Sequence, residues 1–392
     1  MTVRETSRHY ERPRRPVALP FINAAWQMLG RWSQPRIDAD RWFRRVRAPP
    51  SWDIRPFEAL ARSLSDEAGL TPVGRLLVTA RVTASLRARA SVEALDDPPH
   101  REIAPVVIVG LPRTGTTLLH RLLAEVDGFR ALRTWEAMSP APGPQERSSK
   151  ARLKDAERAK ALLHRIAPDY LAVHPMEPTQ PEEEVLLFEH VGLSTSYEAM
   201  FRIPSYGTWL EDQDLTTAYE HLDRVLRHLE PTTDRRWLLK APHHLEFLDI
   251  LAETFPGLRL VWTHRDPARV IPSLCSMVAH GRAMSANVVD LPEIGRHWLR
   301  KASRMVATGL AFRKRRPEIP VLDVCYDSLA KDPISVVSSI VEFAGQTFGI
   351  RSKSAVRTRL ARHGAHRYGR HVYEASDFGL EPRSLEQLRT AQ

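Results

Sequence analysis

The apolar positions of this chain fall into two patterns: short β-branched runs, and longer stretches at helical spacing. Val106-Val107-Ile108-Val109 is the sharpest short run. Unbroken apolar character over so few residues predicts a strand buried on both faces of a parallel sheet. The run breaks at Gly110-Leu111-Pro112, and apolar residues then recur at Leu118, Leu119, Leu122, Leu123 and Val126, which predicts a helix. Further strands are predicted at 235–240 (RRWLLK), 258–263 (LRLVWT) and 320–325 (PVLDVC). Helices are predicted over 148–166, 215–230, His243 to Phe255 and 333–344, with Pro256-Gly257 ending the third. Asp266-Pro267 offers an N-cap and a proline in the first helical position, so a helix starts there. Pro272, about one turn further in, predicts a kink.

The ends of the chain differ from its middle. Residues 1–20 are charged and Pro-rich and are expected to be disordered or loosely packed. Over 21–100, Phe57, Leu60, Leu64, Leu76, Leu77, Val82 and Leu86 recur near helical spacing. That region is expected to form a helical layer on the main α/β domain, 101–392. Residues 139–147 and 168–182 are Pro-rich and irregular. Pro181-Glu182-Glu183-Glu184 then opens a helix to about His190, its acidic first turn complementing the helix dipole. A substrate-facing role for one of the three glutamates stays open.

Strands alternating with helices imply an α/β fold with a mostly parallel sheet flanked by helices. Ligands of such sheets bind beyond the carboxyl ends of the strands. The turn after the first strand, Lys240, Arg265 and Tyr326 all follow predicted strand ends. That first turn is P-loop-like: Gly110-x4-Gly115 leads into a helix N-terminus, where backbone N–H groups and the dipole favour an anion. A nucleotide triphosphatase carries Lys at the next position, where this chain has Thr116, and Arg113 lies inside the loop instead. The substitution points to a different phosphate chain.

The 392 residues suffice for one large α/β domain with helical additions. The net charge of +10, carried mostly by Arg, either steers a polyanionic nucleotide or simply makes the surface basic. No zinc spacing or aromatic-interleaved basic stripe argues for a nucleic-acid partner. Arg4, Arg12, Arg14 and Arg15 leave contact with acidic lipid open. Cys275 and Cys325 are too few for a disulfide framework; both are expected in the core, in a reducing cytoplasm. No run of 18 apolar residues predicts an integral membrane segment, and the first 30 residues show no signal peptide. Oligomeric state is not legible.

Four separated blocks resemble those of bacterial-type sulfotransferases that use 3′-phosphoadenosine 5′-phosphosulfate (PAPS). They are Gly110-Leu-Pro-Arg-Thr-Gly-Thr-Thr117, Leu239-Lys-Ala-Pro-His-His-Leu245, Thr263-His-Arg-Asp-Pro-Ala-Arg-Val-Ile-Pro-Ser273 and Tyr326-Asp-Ser-Leu-Ala-Lys-Asp-Pro333. A tail, His363-Gly-Ala-His-Arg-Tyr368 with Asp377-Phe-Gly-Leu380, is similar to the same group. The resemblance implies PAPS as donor and neither a metal nor a covalent intermediate. It gives the 5′-phosphosulfate to Arg113, Thr114, Gly115, Thr116 and Thr117, with Arg113 neutralising the bridging oxygen. It gives the 3′-phosphate to Arg265 and Ser273, brings Tyr326 near the adenine, and loosely adds Arg362 through Arg362-His363-Gly364.

In-line sulfuryl transfer needs positioning, charge stabilisation and one general base. Two bases remain open. Glu136 lies 23 residues after Arg113, beside Trp135, where glutamate-dependent relatives carry theirs. His244 lies in the Lys-x-Pro-x-His block, one residue further from the lysine than in cytosolic-type relatives, with His243 adjacent. Lys240 stabilises the transferring group in either case. The acceptor class spans small molecules, lipids and carbohydrates. Tyr197, Phe201, Tyr206 and Trp209 in the irregular stretches favour a partly apolar one. Two other functions fit the cradle: a P-loop small-molecule kinase and a non-catalytic nucleotide-binding module.

Overall fold

The computed structural model describes residues 21–25, 37–98, 101–142, 148–167, 170, 176–230, 235–362 and 373–391. Ahead of the sheet lie α1 (Ala39–Val46), α2 (Arg55–Asp66) and α3 (Pro72–Glu93). Strand β1 (Val106–Gly110) leads into α4 (Thr116–Leu123) and the edge strand β2 (Phe129–Ala131). The long return to β3 (Arg236–Lys240) carries α5 (Thr134–Met138), α6 (Ser149–Ile166), α7 (Val185–Phe188) and α8 (Thr216–Leu229). A 3₁₀ turn (Pro242–Glu246) and α9 (Leu248–Thr254) connect to β4 (Arg259–His264). The long helices α10 (Pro267–Ala283) and α11 (Leu291–Arg315) lead to β5 (Val321–Cys325). Then follow α12 (Tyr326–Lys331), α13 (Pro333–Phe343), α14 (Ile350–Arg362) and α15 (Pro382–Ala391).

The sheet order is β2-β3-β1-β4-β5 and every pairing is parallel. Alternate residues of each strand enter different cores, as the period of two requires. Val106, Ile108, Leu238 and Val261 pack on Leu119, Leu122 and Leu123 of α4 and on Val337, Ile340 and Val341 of α13. Val107, Val109, Leu239, Leu260 and Trp262 face the other side, where Phe57, Leu60, Leu64, Val78, Val82 and Leu86 of α2 and α3 join the same core. The N-terminal helices thus share one hydrophobic core with the sheet. Among the described residues, no helix is long and apolar enough to cross a membrane.

Several expectations change. The predicted helix from His243 to Phe255 divides into the 3₁₀ turn and α9. The helix after the glutamates begins only at Val185. Glu182 and Glu183 lie outside the helix, with the Glu182 N–H donating to Leu132 O at 2.9 Å and Pro181 bridging Arg133. Cys275 is buried, but Cys325 is exposed, since β5 is an edge strand with one buried residue. Tyr197, Phe201 and Tyr206 belong to the core, and Trp209 packs against it. The basic residues 1–20 and the tail 363–368 lie outside the described residues.

Candidate active site

The loop after β1 is shaped by two glycines and one arginine. Gly110 has φ +147° and ends β1 against Thr263 of β4, whose side chain any Cβ would overlap. Gly115 has φ +90° and precedes α4; a Cβ there would stand 2.8 Å from the Tyr326 ring. Between them Arg113 takes φ +76°, a left-handed conformation that a non-glycine residue adopts only when its surroundings hold it there. The surroundings are visible. Arg113 Nε donates to Ser273 Oγ at 3.0 Å, and its carbonyl accepts from Arg265 Nη1 at 3.0 Å. Thr114 Oγ1 lies 2.7 Å from Leu111 O and 2.6 Å from Thr263 Oγ1, fastening the loop to β4.

Arg265, just past β4, stacks its guanidinium 3.9 Å from the centroid of Tyr326, which opens α12 just past β5. Its buried Nε has no hydrogen-bond partner among the described residues. Desolvation lowers the pKa of Arg113, and the charge of Arg265 adds to that lowering against Tyr373 and Tyr326. Two neighbouring cations, a buried donor without a partner among the described residues and a helix N-terminus all lie at the carboxyl end of the sheet. An anion would satisfy all three.

On the other side of β1 stands Lys240, the last residue of β3 and only 3% exposed. Its Nζ pairs with the carboxylate of Glu183 and lies 3.5 Å from Thr117 Oγ1 at the start of α4. Its backbone N–H donates to Glu184 Oε2 at 3.0 Å. Loop, α4 N-terminus, Lys240, Arg265, Ser273 and Tyr326 therefore form one surface above the central strands.

The sulfotransferase family model matches residues 105–349, from β1 to the turn before α14. The chain belongs to the sulfotransferase family. Among solved structures it is similar to sulfotransferase STF1 of Mycobacterium tuberculosis H37Rv, at 27% identity and a TM-score of 0.71, covering 96% of this chain and 99% of that one. It shares its fold with sulfotransferase STF9 of Mycobacterium avium, at 23% identity and a TM-score of 0.77, covering 90% and 94%. It is 30% identical over 186 residues to omega-hydroxy-beta-dihydromenaquinone-9 sulfotransferase Stf3 of Mycobacterium bovis and of Mycobacterium tuberculosis. That match spans 43% of this chain and 44% of the relatives' length, less than half of each.

The two bases open from the sequence are both buried. Glu136 is buried with both oxygens engaged: Oε1 accepts from Arg130 Nη2 at 2.6 Å and Oε2 from the Arg133 N–H at 2.9 Å, capping α5. Arg130 in turn holds Glu230 at 2.9 Å and lies over the Trp237 ring. His244 is fully buried with both ring nitrogens occupied: Nε2 meets Glu184 Oε1 at 2.6 Å and Nδ1 meets the Tyr219 hydroxyl at 2.8 Å. Each of these four side-chain atoms has a hydrogen-bond partner within the fold. Through these bonds both residues tie secondary elements together. His243 is sandwiched between Phe188 and Phe247, with Nδ1 3.1 Å from Thr195 Oγ1, and burial pushes its pKa well below the usual value. Arg362 is exposed at the end of α14, on a surface groove it shares with Glu125, Arg351 and Arg359, and not on the surface above the central strands.

Composition and spacing did not single out Glu183 and Glu184. Their signal was the run of three glutamates, whose partners Lys240 and His244 lie far along the sequence.

Proposed function

We propose that this chain transfers a sulfuryl group from PAPS to a hydroxyl or amine of an acceptor by in-line displacement. One observation carries the reading: Arg265 just past β4, stacked on Tyr326, bonded to the loop carbonyl of Arg113 and holding a buried Nε without a partner among the described residues. A donor with anions at both ends of adenosine needs two cradles joined by an aromatic surface. The backbone N–H groups of Thr114 to Thr117 with the hydroxyls of Thr116 and Thr117 would take the 5′-phosphosulfate. Arg265 and Ser273 would take the 3′-phosphate, with Tyr326 toward the adenine.

Arg113 and Lys240 would neutralise the charge that develops as the bond from sulfur to the bridging oxygen breaks. The P-loop kinase reading needs a cation at Thr116; here the cations come from Arg113 and from β3. The curated relative is named for a hydroxylated dihydromenaquinone. We carry over only the chemical class, a hydroxyl group on an apolar molecule.

Replacing Arg265 by alanine tests the assignment. The variant is expected to bind 3′-phosphoadenosine 5′-phosphate about 10- to 100-fold more weakly, the loss of a charge-assisted contact. Its binding of adenosine 5′-phosphate should change less than about threefold, since that ligand lacks the 3′ anion. Equal loss for both ligands in a calorimetric titration would remove Arg265 from the 3′ site.

A further inference from the structure

Resting on the sulfuryl-transfer reading, we infer that Glu183 takes the proton from the attacking acceptor. Lys240 Nζ lies between Thr117 Oγ1, at 3.5 Å, and the Glu183 carboxylate. Glu183 is thus one side chain away from the hydroxyl that opens the cradle helix. The other carboxylates of this region are committed. Both oxygens of Glu136 are bonded to Arg130 and Arg133, and both of Glu184 to Lys240 N–H and His244. Glu182 Oε1 accepts from the Glu183 N–H at 3.0 Å and Oε2 from Thr134 Oγ1 at 3.1 Å. Glu183 engages Lys240 through Oε1, its side chain is 20% exposed, and its Oε2 carries no hydrogen bond among the described residues.

The step balances. The acceptor oxygen forms its bond to sulfur while its proton passes to Glu183 Oε2. The bond from sulfur to the 5′-phosphate oxygen breaks, and its electron pair leaves on the bisphosphate. The proton then departs through the exposed edge of Glu183. Lys240 faces the sulfuryl oxygens and Glu183 together, so one ammonium group orients both the base and the transferring group. The buried pair Glu184–His244 is a positioning device: it fixes the Lys240 backbone and turns the preceding glutamate outward.

Glu183→Gln and Glu183→Asp test this, with PAPS as donor and either decan-1-ol or water as acceptor. Bisphosphate release is followed from pH 5 to 9, and 3′-phosphoadenosine 5′-phosphate binding by calorimetry. Glu183→Gln is expected to bind the bisphosphate within about threefold of the parent. Its turnover should fall about 10²- to 10⁴-fold. The acidic limb of the parent's rate profile should vanish, and Glu183→Asp should restore part of the rate. Turnover kept within about tenfold by Glu183→Gln overturns the assignment, as does a loss of bisphosphate binding as large as the loss of rate. A parent protein that binds the bisphosphate but turns over neither acceptor overturns it too. A parent that does not bind the bisphosphate refutes the sulfuryl-transfer reading itself, a different outcome.

Discussion

Replacing Lys240 by methionine is expected to lower turnover about 10²- to 10³-fold, the usual cost of removing a group that stabilises transition-state charge. Methionine keeps most of the apolar stem, which matters because Lys240 ends a central strand and is 3% exposed. The backbone N–H remains bonded to Glu184, so the strand end keeps its place. What disappears is the ammonium between Thr117 and Glu183. Charge on the transferring group and on the leaving oxygen grows only as the bond breaks, so the loss should fall on the chemical step. Affinity for 3′-phosphoadenosine 5′-phosphate should change less than about threefold. Single-turnover bisphosphate release with saturating donor separates the two effects. An unchanged rate, or equal losses in rate and binding, would make Lys240 a structural or ground-state contact.

Mild acid should destabilise the protein strongly. His190 Nδ1 meets His221 Nε2 at 2.9 Å in the core, and burial pushes the His190 pKa down to about 3. Burial also holds His120, His221 and His243 well below 6.5. The folded state keeps these four rings neutral, whereas the unfolded chain protonates them near pH 6.5. Unfolding therefore takes up protons as pH drops below about 6.5, and stability falls by up to about 1.4 kcal/mol per pH unit for each ring. The loss continues until the folded pKa is reached, near 3 for His190. Urea midpoints at pH 7.5, 6.5 and 5.5 should decline progressively; a flat profile would show that these rings are not buried neutral.

The proposed donor side of the site was legible because each of its residues is marked locally. A parallel strand must end at the ligand edge of the sheet. Arg113, Lys240, Arg265 and Tyr326 each stand at or just beyond such an end, in β1, β3, β4 and β5. Ser273 follows on the helix that Asp266 caps. Continuous apolar runs made the strands plain, except β2, whose three residues are too short to show a period.

The acid–base side was not legible because its logic is long-range. Glu136 reads as a base by position, and no local pattern shows that it pairs with Arg130, itself bonded to Glu230 a hundred residues on. The glutamate run matched an acidic helix start because local pattern cannot show that Glu184 turns inward to His244. Its neighbour Glu183 then faces Lys240. Cys325 sits in an apolar run, but an edge strand leaves it exposed.

Calorimetric titration with 3′-phosphoadenosine 5′-phosphate, beside ATP, each with and without magnesium, tests the central claim most directly. The geometry of Arg113, Arg265 and Ser273 predicts tight binding of the bisphosphate, unchanged by the metal, and little binding of ATP. A preference for ATP that requires magnesium would contradict the sulfotransferase site and leave a kinase in its place.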